Sequence, residues 1–416
     1  MSDAPARRWF VLVLLIASIC INYIDRGNLA VAGRDLSRDL HIATKSLGLL
    51  LSAFFWTYAA FQILSGWMID RFGVVWVFAG GFLIWSAATA CTGLVTSFAE
   101  LFALRLVLGM SESVAYPSYS RIVAANFGEQ QRGLVNSLID AGSRTGPALG
   151  VLIGGLLLAR FGWRVMFLAI GCLSLAWLVP WCIAAPSIRA GTPTRRDEAP
   201  PPFVEILRQR AAWGTFLGLF CGNYAWYFLL TWLPQYLLME RHYTTRMMAV
   251  YGSLPFWGVA IASITGGWYS DRLIARGAAA SRVRRAFPGI GLAGCMLLLP
   301  ACLVRNDRLS MALLICACLS SGLWSSNVWA VTQRLAGTAG AAKWTGVQNG
   351  FGNLAGVVAP WLTGWLVGQT GHFLYAFVSV TVVLLEGSAA YLVLIGPVEP
   401  IVWARSCNPP GNYSTS

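Results

Sequence analysis

The sequence predicts an all-α integral membrane protein whose twelve transmembrane helices form two six-helix bundles related by pseudo-two-fold symmetry. Of its 416 residues, 57% are hydrophobic and only 11% are charged, whereas soluble globular proteins are about a quarter charged. Apolar runs of about 20 residues recur along the whole chain, and each can cross about 30 Å of hydrocarbon as a helix. Short motifs of the first half recur in the second half, which indicates a duplicated bundle.

The predicted spans fall into two sets of six, separated by a polar segment. They cover residues 9–32, 46–68, 74–96, 99–127, 131–158 and 163–186, then 212–238, 246–269, 286–304, 309–333, 344–368 and 373–396. The segment between the sets is rich in Arg and Pro, which is typical of a loop, and it contains one short amphipathic turn at 203–210. We therefore expect a cytoplasmic N-terminus (1–8), an N-terminal bundle (9–186), a cytoplasmic linker (187–211), a C-terminal bundle (212–396) and a cytoplasmic tail (397–416).

The duplication is visible in two motifs that recur at one offset. GWMIDRFG at 66–73 recurs as GWYSDRLI at 267–274, and the pair Asn-Tyr at 22–23 recurs at 223–224. Such repeats are the build of secondary transporters, whose substrate site lies between the halves near the middle of the membrane.

Basic residues give the chain a net charge of +13, and their distribution predicts its orientation. Nucleic acid or an acidic partner would call for a basic patch, but the Lys and Arg residues are spread over many loops, so we expect no nucleic-acid partner. Seventeen lie in loops predicted on the side of the N-terminus, and nine lie in the opposite loops. The positive-inside rule then predicts a multi-pass protein with both termini in the cytoplasm. We expect the membrane to be a bacterial inner membrane.

No sequence motif indicates an enzyme. The chain has no phosphate-binding GxxxxGK[ST], no HExxH and no nucleophile elbow. Nine of the ten Cys residues lie in apolar segments and the three His residues are far apart, which predicts neither disulfides nor a metal site. We expect no cofactor, and an ion gradient as the energy source.

Ionisable residues within the predicted spans carry most of the information about function. Each would cost about 2.5–3.5 kcal/mol at the lipid-facing centre of a helix, so these residues must face one another or a water-filled cavity. They are Asp25, Arg26, Arg105, Glu112, Asp140, Arg144 and Glu386, and nearly all of them lie in the first half.

Spacing limits the pairing of the first two. Asp25 and Arg26 are adjacent and therefore diverge by about 100° around the helix, so each needs a partner elsewhere. At the corresponding positions of the second half, the repeat has the aromatic residues Trp226 and Tyr227. The charges of this region therefore belong to the first half alone.

Two further pairs lie on the fourth and fifth spans. Arg105 and Glu112 are seven residues apart, hence on one helix face but about 10 Å apart along the axis. Asp140 and Arg144 are four residues apart, the spacing at which a direct ion pair is possible. The second pair can serve either substrate binding or helix packing, and the sequence leaves both open.

A bundle interior with carboxylates and several Arg residues suits a proton-coupled carrier of organic anions. Arg offers a permanent, forked donor to a substrate carboxylate. A carboxyl group shielded from water takes up a proton more readily, so it can be loaded on one side of the membrane and unloaded on the other. The alternative is that these residues are interior ion pairs that fix helix packing. Glu386 has no visible partner in the sequence, which favours a structural or interfacial role for it.

Several motifs resemble those of the major facilitator superfamily, and more narrowly its anion:cation symporter family of sugar-acid and organic-anion carriers. GWMIDRFG is similar to the superfamily loop motif, although VVW follows it in place of the usual basic pair, and GWYSDRLI is a degraded copy. NYIDRGNLA, LRLVLGMSESVAYPSYSR and WYFLLTWLPQYL resemble the narrower family closely. The superfamily resemblance covers about residues 9–396 and implies transport by alternating access.

The resemblance also implies roles for individual residues. It implies that Asp25 and Glu112 are the protonatable pair, and that Arg26 and Arg105 serve substrate binding and coupling. The residues that it implies in the substrate cavity are Tyr23, Ser326, Trp329 and Asn349. The residues that it implies in the gating loop motif and its copy are Gly66, Asp70, Arg71, Gly73, Asp271 and Arg272.

One departure from the narrower family concerns the fifth span. Sugar-acid carriers tend to have an amide side chain where Ser143 aligns, whereas here Ser143 is followed by Arg144. The extra cation indicates a different or more anionic substrate, and both residues belong to the predicted substrate site.

We therefore expect proton symport of a small organic anion, such as a sugar acid, by a chain that functions as a monomer in the lipid bilayer. Proton-coupled drug export is the main alternative, because GSRTGPALG is similar to the Gly-x-x-x-Gly-Pro motif of drug/proton antiporters. A cavity for cationic drugs should favour bare carboxylates, whereas this one has an excess of Arg. A non-transporting membrane sensor on a carrier fold is the third interpretation.

Overall fold

The computed structural model is built from α-helices, with no strand in residues 4–127, 129–188 and 201–403, which are the residues that the structure describes. The helices are α1 (Ala4–Asp39), α2 (Thr44–Phe72), α3 (Val74–Thr92), α4 (Phe98–Glu112), α5 (Ala115–Asn126), α6 (Glu129–Leu149), α7 (Gly155–Leu175), α8 (Leu178–Ala184), α9 (Phe203–Arg208), α10 (Arg210–Met239), α11 (Thr245–Ala275), α12 (Ala280–Cys295), α13 (Leu298–Leu303), α14 (Asp307–Thr370) and α15 (Leu374–Ala389). Two π-helical turns, Gly150–Gly154 and Ala390–Leu394, and one 3₁₀ turn, Ala185–Ser187, complete them. Of the predicted terminus, linker and tail, residues 1–3, 189–200 and 404–416 lie outside the described residues.

Eight helical stretches in the described part of the chain are long and apolar enough to cross a membrane. They are Arg7–Asp39, Val74–Thr92, Val135–Ala184, Arg210–Met239, Thr245–Ala275, Ala280–Leu303, Asp307–Gly337 and Leu374–Leu394. The third stretch is 50 residues long and supplies two spans. Helix α2, helices α4 and α5 together, and the part of α14 after Gly337 supply the other three, which accounts for the twelve predicted spans.

Glycine residues at positive φ separate successive spans. Gly162 within α7 has φ 80° and Gly337 within α14 has φ 63°, a backbone conformation that residues with a side chain rarely adopt. They lie between the fifth and sixth and between the tenth and eleventh predicted spans. The helical stretches Val135–Ala184 and Asp307–Thr370 therefore each fold back at their glycine and cross the membrane twice.

Proline explains three further interruptions, which the sequence-based spans treated as continuous helix. A Pro ring clashes with the carbonyl of the fourth residue before it and offers no N–H to that carbonyl. Pro117, Pro180 and Pro300 follow the interruptions between α4 and α5, α7 and α8, and α12 and α13. Each helix is interrupted from the residue four positions before its proline, that is, from Ser113, Ala176 and Met296.

The two halves contact each other near the end of the bundle that holds the turn between α1 and α2. The side-chain amide of Gln235 on α10 donates to the backbone oxygen of Ala30 on α1 at 2.6 Å. Gly48 on α2 and Gly364 on α14 approach so closely that a Cβ atom on Gly48 would lie 2.9 Å from the Gly364 Cα atom. We call this region the closed end.

Residues after the last span pack against the turn within α14, at the opposite end. The backbone N–H of Ile401 donates to the oxygen of Leu335 at 2.9 Å, and the indole N–H of Trp403 donates to the oxygen of Ala336 at 2.9 Å. Trp403 is only 7% exposed, whereas its neighbour Val402 is 78% exposed. The segment is therefore docked through alternate side chains and through its backbone.

Candidate functional site

A cavity of about 540 Å³ lies between the two halves. Its first-half wall consists of Tyr23 and Arg26 on α1, Tyr58 and Gln62 on α2, Tyr116, Pro117 and Ser120 on α5, and Asp140 and Arg144 on α6. Its second-half wall consists of Leu219, Asn223, Trp226 and Tyr227 on α10, and Trp324, Ser325, Val328, Trp329, Thr345, Gly346, Asn349 and Asn353 on α14. The volume suits a small molecule, since ligand pockets occupy about 300–1,000 Å³.

The cavity opens away from the closed end. Ser120, Asp140 and Gly346 line it and are exposed to solvent. Ser120 lies in the middle of α5, and Gly346 follows the turn within α14. Access from one side of a membrane only is the geometry that alternating access requires.

Arg26 and Glu112 form a buried ion pair at the cavity wall. Nε of Arg26 donates to Oε2 of Glu112 at 2.8 Å, and the two side chains are 2% and 0% exposed. Glu112 is the last residue of α4, just before the interruption caused by Pro117. Oε1 of Glu112 and one terminal nitrogen of Arg26 have no hydrogen-bond partner among the described residues. The pair therefore retains unused hydrogen-bonding capacity.

Aromatic rings surround the Arg26 guanidinium. Its central carbon lies 4.5 Å from the ring centroid of Tyr58, 4.7 Å from that of Tyr23 and 5.0 Å from that of Phe54. The Phe54 ring also lies 5.3 Å from the guanidinium carbon of Arg105. Contacts of this kind contribute about 0.5–2 kcal/mol each, so the rings hold a cation where hydration is weak.

Asp25 and Arg105 are buried behind the cavity wall. Asp25 is 2% exposed; its Oδ1 accepts from Nδ2 of Asn28 at 3.4 Å, and its Oδ2 has no hydrogen-bond partner among the described residues. Arg105 is 4% exposed and interacts electrostatically with Glu112, Arg26 and Asp25. The four charged residues singled out for coupling and binding thus form one cluster, although only Arg26 lines the cavity itself.

Arg144 is a second cation in the cavity. Its Nε lies 3.8 Å from Oδ2 of Asp140, and its guanidinium carbon lies 5.2 Å from the ring centroid of Trp226 on the other half. The ion pair that the sequence spacing allows is therefore present but long. Ser143 is buried, and its hydroxyl donates to the backbone oxygen of Asp140 at 2.7 Å instead of lining the cavity.

In the second half, Trp329 and Asn349 line the cavity, whereas Ser326 does not. Ser325 occupies that place, while the Ser326 hydroxyl donates to the backbone oxygen of Leu323 at 2.7 Å. Neighbouring residues on a helix diverge by about 100°, so a displacement of one position in an alignment selects the wrong face.

Beyond Tyr23 and Asn349, the cavity wall contains uncharged polar residues that were not predicted from the sequence. Tyr58 and Gln62 lie four residues apart on one face of α2, and the Tyr227 hydroxyl donates to Oδ1 of Asn353 at 2.8 Å. The spacing of Tyr58 and Gln62, four residues apart within an apolar span, is the sequence signal that could have identified them as wall residues. Glu386 is exposed on α15 and does not line the cavity.

The loop motif lies at the end of the bundle opposite the closed end. Gly66 and Arg71 belong to the last turns of α2, and Gly73, with φ 88°, separates α2 from α3. Arg71 is exposed. The side chain of Asp70 lies outside the described part of the structure.

The copy of the motif in the second half carries an ion pair with α12. Oδ1 of Asp271 accepts from Arg284 at 2.6 Å, and a second nitrogen of Arg284 donates to Oδ1 of Asn327 at 2.6 Å. The Arg272 guanidinium carbon lies 5.0 Å from the ring centroid of Trp268. These contacts tie α11, α12 and α14 together at the open end.

An all-helical membrane fold in two repeated halves, with a charged cavity between them that opens at one end, defines a secondary transporter. The sequence model of the Major Facilitator Superfamily matches residues 15–360, and the chain belongs to that superfamily. The predicted fold and family are thereby confirmed, and the protein is a membrane transporter and not an enzyme.

Similar proteins cover nearly the whole chain. It is 29% identical to the "Probable galactarate/D-glucarate transporter GudP" of Escherichia coli (strain K12), over 95% of each chain. It is 30% identical to the "Probable sulfoacetate transporter SauU" of Cupriavidus necator, over 94% of this chain and 95% of that one. It is 26% identical to the "D-galactonate transporter" of Escherichia coli O6:H1, over 95% and 97%.

The fold is also similar to that of a solved structure, described as "A Bacterial Homolog to Human Lysosomal Transporter, Spinster" in an inward-facing, unoccupied conformation. The TM-score is 0.80 at 18% sequence identity, with 94% of this chain and 97% of that chain covered. At this identity the likeness concerns the fold alone.

Proposed function

We propose that this protein carries a small organic anion, together with protons, into the cell across a bacterial inner membrane by alternating access. The observation that carries the proposal is the buried Arg26–Glu112 ion pair in the cavity wall. Relatives named as galactarate/D-glucarate, sulfoacetate and D-galactonate transporters support the substrate class. Arg26 is the substrate-binding cation, and Glu112 is the group that binds and releases the proton.

Protonation of Glu112 frees Arg26 for the substrate. An ionised Glu112 neutralises the guanidinium, whereas a protonated Glu112 leaves its full charge and its forked donors available to a substrate carboxylate. The rings of Tyr23 and Tyr58 hold the guanidinium in place meanwhile. The substrate carboxylate therefore replaces that of Glu112 as the partner of Arg26 with little movement of the guanidinium.

Coupling follows from the cost of an unpaired buried charge. Removing one partner of a buried ion pair costs about 3–5 kcal/mol, so a cavity with an unmatched Arg26 resists closure. The cavity closes readily when Glu112 is ionised and the site is empty, or when substrate and proton are both bound. Asp25 is the second protonatable group, and Arg105 links its charge to that of Glu112.

The orientation and assembly proposed here follow from the sequence and the cavity. The distribution of basic residues supports a cytoplasmic open end and cytoplasmic termini. Bundles at 9–186 and 212–396 are the two moving bodies of the proposal. One chain encloses the whole cavity, which supports function as a monomer.

The test is uptake into proteoliposomes with an inward proton gradient, for galactonate, galactarate and sulfoacetate in turn. We expect the wild type to concentrate at least one acid, and Glu112→Gln to exchange that acid across the membrane without concentrating it. Glu386→Gln is the matched control, because it neutralises an exposed carboxylate outside the cavity, and it should behave as the wild type does. Concentrative uptake by Glu112→Gln at the wild-type rate would overturn the proposal. Expulsion of cationic drugs in exchange for protons, without transport of any acid, would favour the antiporter alternative.

A further inference from the structure

Arg144 is held in the cavity by contacts that leave its charge largely unmatched. Its side chain is 16% exposed and its guanidinium packs against the Trp226 ring at 5.2 Å, so it is fixed in position from both halves. The distance of 3.8 Å between its Nε and Oδ2 of Asp140 is too long for a hydrogen bond. Nε is buried without a hydrogen-bond partner among the described residues.

The contrast with Arg26 indicates different functions for the two cations. Arg26 donates to Glu112 at 2.8 Å, and both side chains are shielded from water. The carboxylate beside Arg144 belongs to Asp140, whose side chain is 51% exposed and therefore well hydrated. A cation that is ordered, open to the cavity and weakly paired is suited to bind an anionic group from outside the chain.

We propose that Arg144 and Trp226 form a second anion subsite, and that the substrate is a small organic dianion with one acidic group at Arg26 and the other at Arg144. This inference rests on the proposed function, since it assumes that Arg26 receives the first acidic group. A monoanion would bind only one of the two cations. A dianion matches both, and the Trp226 ring keeps the second guanidinium aligned for a bidentate contact.

The proposed subsite contains one residue from each half of the protein. Arg144 lies on α6 and Trp226 on α10, so the cation–ring contact crosses the cavity between the halves. An anion at Arg144 therefore neutralises charge at a place where the two halves meet. Among the residues that line the cavity, the second half supplies aromatic and amide side chains and the first half supplies the two cations.

The experiment compares uptake of acids that differ at one end only, in proteoliposomes containing the full chain. The probes are galactarate against galactonate and sulfoacetate against acetate. We expect the wild type to prefer the dianion at least tenfold in kcat/KM, and Arg144→Gln to reduce the ratio of dianion to monoanion at least tenfold. Arg144→Lys should give an intermediate ratio, because it keeps the charge and loses the fork. Arg246→Gln removes an exposed cation outside the cavity and should keep the wild-type ratio.

Asp140 distinguishes binding from helix packing. If Arg144 binds the substrate, Asp140→Asn removes a competing carboxylate and should lower KM for the dianion. If Arg144 served only to pair with Asp140, both Asp140→Asn and Arg144→Gln would reduce uptake of dianions and monoanions by the same factor, and the subsite would be refuted. Transport of monoanions without preference for dianions also refutes the subsite but leaves the proposed function intact. Failure to transport any acid overturns the proposed function itself.

Discussion

Nε of Arg26 lies 2.8 Å from Oε2 of Glu112, across 86 positions of the sequence, while Arg26 makes no such contact with its neighbour Asp25. This pairing joins α1 to the end of α4 in the interior of the first half. The carboxylate of the adjacent Asp25 instead accepts a hydrogen bond from the side-chain amide of Asn28. The two charges of the buried ion pair thus come from different helices, α1 and α4.

The ion pair predicts a recovery of stability in a double variant. Arg26→Gln removes the cation that is hydrogen-bonded to the buried Glu112 carboxylate and should lower the free energy of unfolding by about 3 kcal/mol. Adding Glu112→Gln to Arg26→Gln should restore most of that loss, because both charges are then absent. Thermal unfolding of the purified variants measures this coupling. Losses that simply add in the double variant would show that the pair is not energetically coupled.

The aromatic surroundings of Arg26 predict a difference between two variants of Tyr58. Tyr58→Phe keeps a ring 4.5 Å from the guanidinium carbon, whereas Tyr58→Leu removes it. Loss of a desolvated cation–ring contact should destabilise the leucine variant by about 2 kcal/mol, and the phenylalanine variant should lose much less. Unfolding temperatures of the two proteins test this, and equal losses would assign the effect to the hydroxyl.

The close contact of Gly48 and Gly364 predicts that a methyl group opens the closed end. Gly48→Ala would place Cβ 2.9 Å from the Gly364 Cα atom, and overpacking of this kind costs about 1–3 kcal/mol. The population of this conformation should then fall about 5–150-fold. Spin labels at positions 38 and 246, in a background without Cys, should move apart.

The control for this change is Gly80→Ala. A Cβ atom at Gly80 meets no atom within 4 Å, so the distance between the labels should stay as in the parent protein. An unchanged distance in Gly48→Ala as well would show that the contact does not hold this end closed.

The docked segment after the last span predicts a protease-sensitive variant. Trp403→Ala removes a side chain that is 7% exposed and donates to Ala336, so residues 399–403 should detach beyond the buried Val398. Limited proteolysis should cleave there at least tenfold faster than in the parent protein. Val402→Ala changes a side chain that is 78% exposed and should leave the rate unchanged. Equal rates in both variants would mean that the bonds of Val398 to Ser281 and Arg334 and the backbone bond of Ile401 hold the segment without Trp403.

Much of the fold could be predicted from the sequence, because each span must satisfy its own backbone in lipid and must therefore be a long apolar helix. The two turns at Gly162 and Gly337 fall between predicted spans for the same reason. The interruptions before Pro117, Pro180 and Pro300 could not be predicted in the same way, because Pro147, Pro234, Pro255, Pro288 and Pro360 lie inside helices that continue past them.

The site was less accessible from the sequence. Charged residues such as Arg26 and Glu112 are conspicuous within an apolar span, but helical periodicity only tells which face a residue occupies and not which helix packs against it. The pairing of Arg26 with Glu112 therefore depends on the tertiary packing of the helices. Uncharged wall residues such as Gln62 and Asn353 carry no comparable cost in lipid, so composition does not single them out.

Trp226 and Tyr227 stand in the second half at the positions that correspond to Asp25 and Arg26 in the first half. This difference between the repeats has a consequence for engineering. The charged side chains among the residues that line the cavity are encoded before residue 150, whereas the wall that α10 and α14 supply is uncharged and is encoded after residue 210. Mutant libraries confined to the later segment would therefore reshape the uncharged wall while Arg26, Glu112 and Arg144 stay native.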